Sequence, residues 1–253
     1  MQQFMPQEKQ SWVKILGNRI QAAKNKQLER IYPTKNIIYH LVGEADKQYL
    51  LNINKGLDAH FIRHPHYNYT DKKQISFSKP KIKILIAGQY NLYTFTAFNE
   101  VFPELCNYKE IANDYSITFL GKGWEFAVKK LQEAGYETNQ ISFVDVYLDE
   151  IIKYDIQLTP ISVGTGTKGK VLDALANGLL VIGTPYAMEN IAVENNKSCV
   201  IYRDAMQLIS VLKEIPYERA RYEAIAIEGR KCVLTEHNRE KISKELFGLF
   251  SRV

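Results

Sequence analysis

Residues 164–173, GTGTKGKVLD, gather the groups in this chain best suited to holding an anion. Gly164, Gly166 and Gly169 let backbone N–H groups approach a phosphate closely. Thr165 and Thr167 add hydroxyl donors, and Lys168 and Lys170 add formal positive charge. A helical pattern follows, with Val171, Leu172 and Leu175 on one side and Lys170, Asp173 and Asn177 on the other. A helix start brings unpaired donors and a partial positive charge of its own. A plain strand-to-helix turn with solvated lysines would need fewer of these residues than the loop contains.

Two familiar patterns match the same stretch. Gly164, Gly166 and Gly169 satisfy G-x-G-x-x-G, and Glu189 lies near the place of the ribose-binding acid of a dinucleotide site. That fingerprint belongs to the first strand-to-helix turn of its domain, whereas this loop comes after several other elements. Residues 164–170 also follow the Walker A spacing as far as its lysine, but Val171 stands where a magnesium-binding Ser or Thr is needed. Neither match carries an assignment alone.

The elements around the loop give it a position. Residues 156–161 form an extended run, Asn177-Gly178 stops the helix, and residues 179–182 are a short apolar run bounded by glycines and Thr184-Pro185. The unit is therefore strand, glycine loop, helix, strand. Upstream, residues 81–87 (KIKILIA) read as a strand ending at Gly88-Gln89-Tyr90, followed by a helix over 93–102. A strand at 115–120, a helix at 124–134, a strand at 141–146 (ISFVDV) and a short helix at 147–154 come next. A sixth strand at 197–202 precedes helices over 205–213 and 217–250, the latter broken near Thr235. This alternation predicts an α/β fold with a doubly wound parallel sheet, in which ligands bind at the carboxyl ends of the strands.

The first third of the chain is less regular. Residues 7–30 read as a basic amphipathic helix, with Trp12, Leu16, Ile20 and Ala23 at helical spacing. Such a face packs against a neighbouring domain or lies on a membrane surface. Strands are expected at 36–42 and 59–63, with a helix at 44–51 between them. His64 and His66 flank Pro65 with no carboxylate or cysteine beside them, a poor metal site, so this turn is expected to serve as a linker or ligand rim. Polar residues 70–79 read as a linker, dividing the chain into a partial amino-terminal unit, 1–79, and a larger unit, 80–253.

Composition narrows the function classes. The 253 residues are 45% hydrophobic and 24% charged, ordinary for a soluble globular chain with a buried core. A net charge of +5 without long blocks suits an anionic small ligand or membrane surface and is too mild to argue for nucleic acid. Cys106, Cys199 and Cys232 are scattered and odd in number, so neither a disulfide framework nor a zinc site follows, and a reducing cytosol is expected. No signal-peptide pattern and no run long enough to span a bilayer is found.

In this order the elements resemble the carboxyl-terminal, donor-binding half of a GT-B glycosyltransferase, similar to the large retaining family of glycosyl transferases group 1. The resemblance rests on residues 84–102 (ILIAGQYNLYTFTAFNEVF), 117–125 (ITFLGKGWE), 141–161 (ISFVDVYLDEIIKYDIQLTPI) and 229–250 (GRKCVLTEHNREKISKELFGLF). Above all it rests on 160–185, PISVGTGTKGKVLDALANGLLVIGTP, which resembles the pattern G-[ST]-G-x-K-x-K-V-x-E-A-x-A-x-G-x-P-V-V-x-T. It implies a doubly wound, Rossmann-like donor domain of GT-B type preceded by part of a second Rossmann-like domain.

The resemblance also implies roles. Gly164, Thr165, Gly166, Thr167, Lys168 and Lys170 would hold the diphosphate of a UDP- or GDP-linked sugar, with Gly88 close by at the first turn. Asp173, one turn into the helix, would take the ribose hydroxyls, and Val144 and Tyr147 would face the base. The acceptor would be a glycan or lipid-linked saccharide, the setting cytoplasmic or peripheral at the inner membrane face, and no metal or resident cofactor is implied. The departures are specific. Thr165 replaces the first glutamate of the family's E-x7-E pair, Asp173 is one methylene shorter than the usual glutamate, and GQYNLYTF lacks the expected arginine and lysine. No catalytic residue is therefore assigned. Residues 1–79 match only the last elements of an acceptor-side domain. The alternatives are a nucleotide-sugar-binding module completed by a second chain, or a sugar-nucleotide epimerase of GT-B type.

Overall fold

The computed structural model describes residues 12–71, 73–164 and 166–251. Ile82, Ile84 and Ile86 face one way along β3 (Ile82–Ala87) and Leu85 the other, all buried. A strand apolar on both faces belongs at the centre of a parallel sheet. The sheet has six strands in the order β5-β4-β3-β6-β7-β8, every pairing parallel. They are β4 (Tyr115–Leu120), β5 (Glu137–Ile141), β6 (Ile156–Thr159), β7 (Leu180–Gly183) and β8 (Val200–Ile201). The chain builds outward from β3 to β5, then returns to the other side of β3 to lay down β6. The carboxyl ends of β3 and β6 thus form the topological switch point, where such sheets open a crevice.

Helices cover both faces. One layer packs Phe98, Val101 and Leu105 of α3 (Leu92–Asn107) and Leu131 of α4 (Glu125–Glu133) on the isoleucines of β3. Leu208 of α7 (Ala205–Glu214) and Tyr222 of α8 (Arg219–Glu236) complete it. The opposite layer packs Ile151 of α5 (Tyr147–Ile151) and Val171, Leu172 and Leu175 of α6 (Gly169–Ala176) on Leu85 and Val181. Burying each of these aliphatic side chains stabilises the fold by about 1.5–3 kcal/mol.

The turns after β3 and β4 meet backbone to backbone. Gly88 donates its N–H to Leu120 and its carbonyl accepts from the buried indole of Trp124 at 2.7 Å. A Cβ on Gly121 would stand 2.2 Å from that carbonyl oxygen, and Gly121 has φ +147°, so only glycine fits.

The third expected strand is displaced: 142–146 is loop, and the strand is the polar run Glu137–Ile141. β5 is the sheet edge and pairs only with β4, whose register ends at Leu120↔Ile141. An edge strand tolerates polar residues, while ISFVDV, though apolar in pattern, has no strand beside it.

The amino-terminal unit is a second, two-stranded parallel sheet of β1 (Ile38–Leu41) and β2 (Asp58–Phe61), joined through α2 (Glu44–Ile53). The last helix, α9 (Arg239–Phe250), returns to it, packing Ile242 and Leu249 against Ile62 and Ile38. Of the expected helix at 7–30, α1 (Trp12–Arg30) is described, and residues 7–11 lie outside the described residues. It packs beside α2 yet buries no residue, with Trp12 75% and Leu16 and Ile20 each 50% exposed. Its apolar stripe faces away from the chain's own core. No helix of the described residues is long and apolar enough to cross a membrane.

Residues 64–79 are more than a polar spacer. The described ones, 64–71 and 73–79, form a strap along the larger unit, fixed by the His66 N–H to the carbonyl of His237, by Asn68 and Thr70 to Asn177, and by buried Phe77 to Glu223.

Candidate functional site

The glycine loop lies at the switch point, between the end of β6 and the start of α6. Gly164 and Gly166 have φ of +123° and +74°, conformations that turn the loop back over the strand ends. Gln157 of β6, buried, donates to the carbonyl of Lys170 at 3.1 Å and ties the first turn of α6 to the sheet. The ring of Tyr93, at the start of α3, stands 3.6 Å from the position a Cβ on Gly164 would take. The amino ends of α3 and α6 therefore flank the loop. Thr165 lies outside the described residues.

The two lysines play different parts. The Lys168 ammonium bonds the carbonyls of Gly164 and Gly166 at 3.4 and 2.9 Å and pairs with Glu189 at 3.1 Å. It is folded into the loop and holds the loop's shape. Lys170 instead directs its ammonium to the Gly88 turn, 3.6 Å from the position of a Cβ there, with no hydrogen bond or ion pair among the described residues. One side of Lys170 meets solvent, and the protein packed against the other lowers its pKa, a shift that nearby Asp173 opposes. The Asp173 carboxylate is the charge that acts on its ammonium. Gly88 spends both its backbone groups inside the turn. Its φ of +135° is what favours glycine, since a Cβ would meet the Lys170 ammonium only at ordinary contact distance.

Four polar atoms near the loop are buried with no hydrogen-bond partner among the described residues: Oγ of Ser162, Oγ1 of Thr167, Oε1 of Gln157 and the phenol oxygen of Tyr147. A buried hydroxyl without a hydrogen bond costs about 1–3 kcal/mol, and such atoms also occur away from the loop, at Tyr136 and Tyr202, so they do not by themselves mark a ligand. Burial pushes the Tyr147 phenol well above its ordinary pKa and the Asp173 carboxylate adds to the shift, so it remains a donor. Val144, half-buried, lies in the loop after β5, beside exposed Phe143 and Val146.

Asp173 lies near Lys170 but makes no ion pair with it; its hydrogen-bond partner is elsewhere. Its Oδ1 lies 3.0 Å from Nε2 of His66, whose side chain is 6% exposed. Asn177, which shares its helix face, is buried and accepts from the amide of Thr70 while donating to the carbonyls of Asn68 and Asp173. Asn177 is thus an anchor for the strap. No group of three or more His, Cys, Asp or Glu able to hold a metal occurs among the described residues, and His64 and His66 point to different partners.

Gly88, Tyr147, Gly164, Gly166, Thr167, Lys168, Lys170 and Asp173 therefore lie on turns and helix starts at the carboxyl ends of the strands, with Val144 on the loop after β5. Sequence reasoning placed His66 in a linker or ligand-rim turn without its contact to Asp173, and it missed Tyr93. His66 is 107 residues from Asp173, and nothing in one sequence joins them. Tyr93 sits where the helix after β3 must begin, so its place was open to inference.

No family model and no curated protein matches this chain. Its fold does match solved structures. A glycosyltransferase from Rickettsia africae is 12% identical with a TM-score of 0.71, over 90% of this chain and 66% of that one. HepE from Anabaena, solved in complex with UDP-glucose, is 11% identical with a TM-score of 0.68, over 91% and 67%. TarM from S. aureus, solved with fondaparinux, alpha-GlcNAc-glycerol and UDP, is 12% identical with a TM-score of 0.65, over 83% and 43%. At these identities the likeness is one of fold: an α/β arrangement of a six-stranded and a small two-stranded parallel sheet that matches GT-B glycosyltransferases. The chain spans about two-fifths to two-thirds of the length of these proteins.

Proposed function

We propose that this chain binds a nucleoside-diphosphate sugar, UDP- or GDP-linked, in the crevice between β3 and β6 and serves the transfer of its sugar to a glycan or lipid-linked acceptor. The observation that carries the reading is the Lys170 ammonium at the Gly88 turn, which makes no hydrogen bond or ion pair with the described residues and lies beside a glycine loop at a helix start. In this reading the diphosphate lies against Gly164, Gly166 and the backbone entering α6, with the hydroxyls of Thr165 and Thr167 as donors. Lys170 neutralises the charge that builds on the leaving diphosphate as the glycosidic bond breaks, an electrostatic contribution that needs no proton transfer from the protein. Lys168, neutralised by Glu189, shapes the loop. The ribose hydroxyls donate to Asp173, and the base lies toward Val144 and Tyr147. HepE and TarM were solved with UDP or a UDP-sugar, which supports a uridine donor here. No residue is assigned as acid, base or nucleophile.

One observation favours a second reading, a nucleotide-sugar-binding half completed by another polypeptide. The two-stranded sheet of the amino-terminal unit and the uncovered stripe of α1 leave an acceptor side with little of its own core. The same basic helix also suits peripheral contact with the cytoplasmic face of a membrane.

Thermal unfolding with a panel of UDP- and GDP-sugars tests the binding reading. A donor at one hundred times its Kd stabilises the chain by about 2.7 kcal/mol, a shift that Asp173→Ala reduces. No shift with any nucleoside diphosphate contradicts it. Donor turnover by the purified chain alone favours the first reading, and turnover only with a second polypeptide the other.

A further inference from the structure

We infer that His66 is a positioning residue for Asp173, and that through it nucleotide occupancy of the crevice is coupled to docking of the strap at residues 64–71. The inference rests on the proposed donor site and extends it to a residue outside the donor-side unit. Its basis is a set of contacts along one face of α6. His66 lies 3.0 Å from Oδ1 of Asp173. One turn on, Asn177 accepts the Thr70 N–H at 2.9 Å and donates to Asn68 at 3.1 Å and to the carbonyl of Asp173 at 2.7 Å. The strap is held at its other edge by Arg230, which donates to the Thr70 carbonyl and pairs with Asp71. The carboxylate offered to the ribose is thus also a point where the strap is fastened.

The chemistry of the pair sets its consequence. A carboxylate free to rotate loses freedom when it accepts two ribose hydroxyls, and that loss weakens binding. With Oδ1 held by His66, the Asp173 carboxylate, 24% exposed, is already oriented. The His66 ring is nearly sealed from water, at 6% exposure, and its backbone N–H is bonded to the carbonyl of His237 at 2.7 Å. The donor therefore comes from a fixed base. Because binding free energies are reciprocal, a nucleotide that prefers the oriented carboxylate must in turn favour the docked strap. Residues 64–71 join the amino-terminal unit to the sheet that holds the crevice, so they connect the two units to donor occupancy.

The experiment measures UDP and GDP affinity by calorimetry for the wild-type chain, His66→Ala, His66→Gln and His64→Ala. Hydrogen exchange at the strap amides is followed with and without the tighter-binding nucleotide. Gln keeps an N–H near the position of Nε2, and His64 bonds only its neighbour Pro65 through its ring. Expected is a loss of about tenfold in His66→Ala, the effect of one charge-assisted hydrogen bond. His66→Gln should restore most of the affinity, and His64→Ala should change it little. Nucleotide should slow exchange at the Thr70 amide in the wild type and not in His66→Ala. Equal affinities for wild type and His66→Ala, or unchanged strap exchange in the wild type on binding, overturn the inference while leaving the donor site standing. If His66→Ala does not fold, His66→Gln binding as weakly as Asp173→Ala also overturns it. Failure of the wild type to bind either nucleotide removes both this inference and the proposed function.

Discussion

The ammonium of Lys168 pairs with the carboxylate of Glu189 at 3.1 Å, across the glycine loop and the turn that follows β7. The lysine side chain is 11% exposed and also bonds two loop carbonyls. A cation so committed holds the backbone and has little capacity left for a ligand. Lys168→Ala and Glu189→Ala should therefore each weaken UDP binding through the loop's shape. The double variant should be no worse than the poorer single one, because the two act as one unit. A double-mutant cycle by calorimetry checks this, and additive losses would show that Lys168 binds phosphate independently of Glu189.

Gly121→Ala should be among the most damaging single-atom additions to the fold. The new Cβ would fall 2.2 Å from the Gly88 oxygen and 2.9 Å from the Gln89 nitrogen, both backbone. Relief requires the β3 and β4 turns to separate, which also moves the place where the Lys170 ammonium rests. A loss of about 2–4 kcal/mol is expected, measured by urea unfolding, with weaker UDP binding in whatever fraction folds. Wild-type stability in this variant would mean that the two turns are not packed as described.

His237 predicts an acid-side loss of stability. It is fully buried, its Nδ1–H donates to the carbonyl of His64 at 2.7 Å, and its Nε2 accepts the amide of Ala192 at 3.1 Å. Both contacts are satisfied only by the neutral ring. Burial lowers its pKa, and nearby Arg63 and His66 add to this, while the bond to His64 opposes it. The folded state thus binds fewer protons than the unfolded one. This contribution is complete above the unfolded value near 6.5 and declines as pH falls below it. Unfolding midpoints followed from pH 7.5 to 5 should drop for the wild type and drop less steeply for His237→Gln, whatever that variant's starting stability. Parallel slopes would contradict the assignment.

The α1 stripe predicts a change without a cost. Leu16 and Ile20 are half exposed and bury nothing in this chain, so Leu16→Ser with Ile20→Ser should leave unfolding free energy within about 0.5 kcal/mol. If the helix meets a membrane surface or a partner chain, the same double variant should lose that association in vesicle flotation or co-purification. A large drop in stability would instead place the stripe in this chain's own core.

Much of this was open to reading before the fold was seen, and for a physical reason. β3 and β6 to β7 announce themselves because apolar runs between glycines have few other places to go, and the order of turns fixes the loop at the switch point. β5 escaped because an edge strand needs no apolar pattern, so TNQ counts for less to the eye than ISFVDV does. Within the site, the loop's residue types indicated an anion, yet they did not separate Lys168 from Lys170. That distinction depends on Glu189, 21 residues away. The His66–Asp173 contact was least accessible, since it joins two units through a strap whose own sequence looks like a spacer.

Lys170 at the Gly88 turn, without a hydrogen bond or ion pair among the described residues, is proposed to mark a diphosphate site. Calorimetric titration of the wild-type chain and Lys170→Ala with UDP and with UMP tests it most directly. The wild type should bind UDP more tightly than UMP, and Lys170→Ala should lose about 1.5–3 kcal/mol toward UDP, as for a charge-assisted hydrogen bond, with little change toward UMP. Equal affinity of the wild type for UDP and UMP, or unchanged UDP binding in Lys170→Ala, would contradict it.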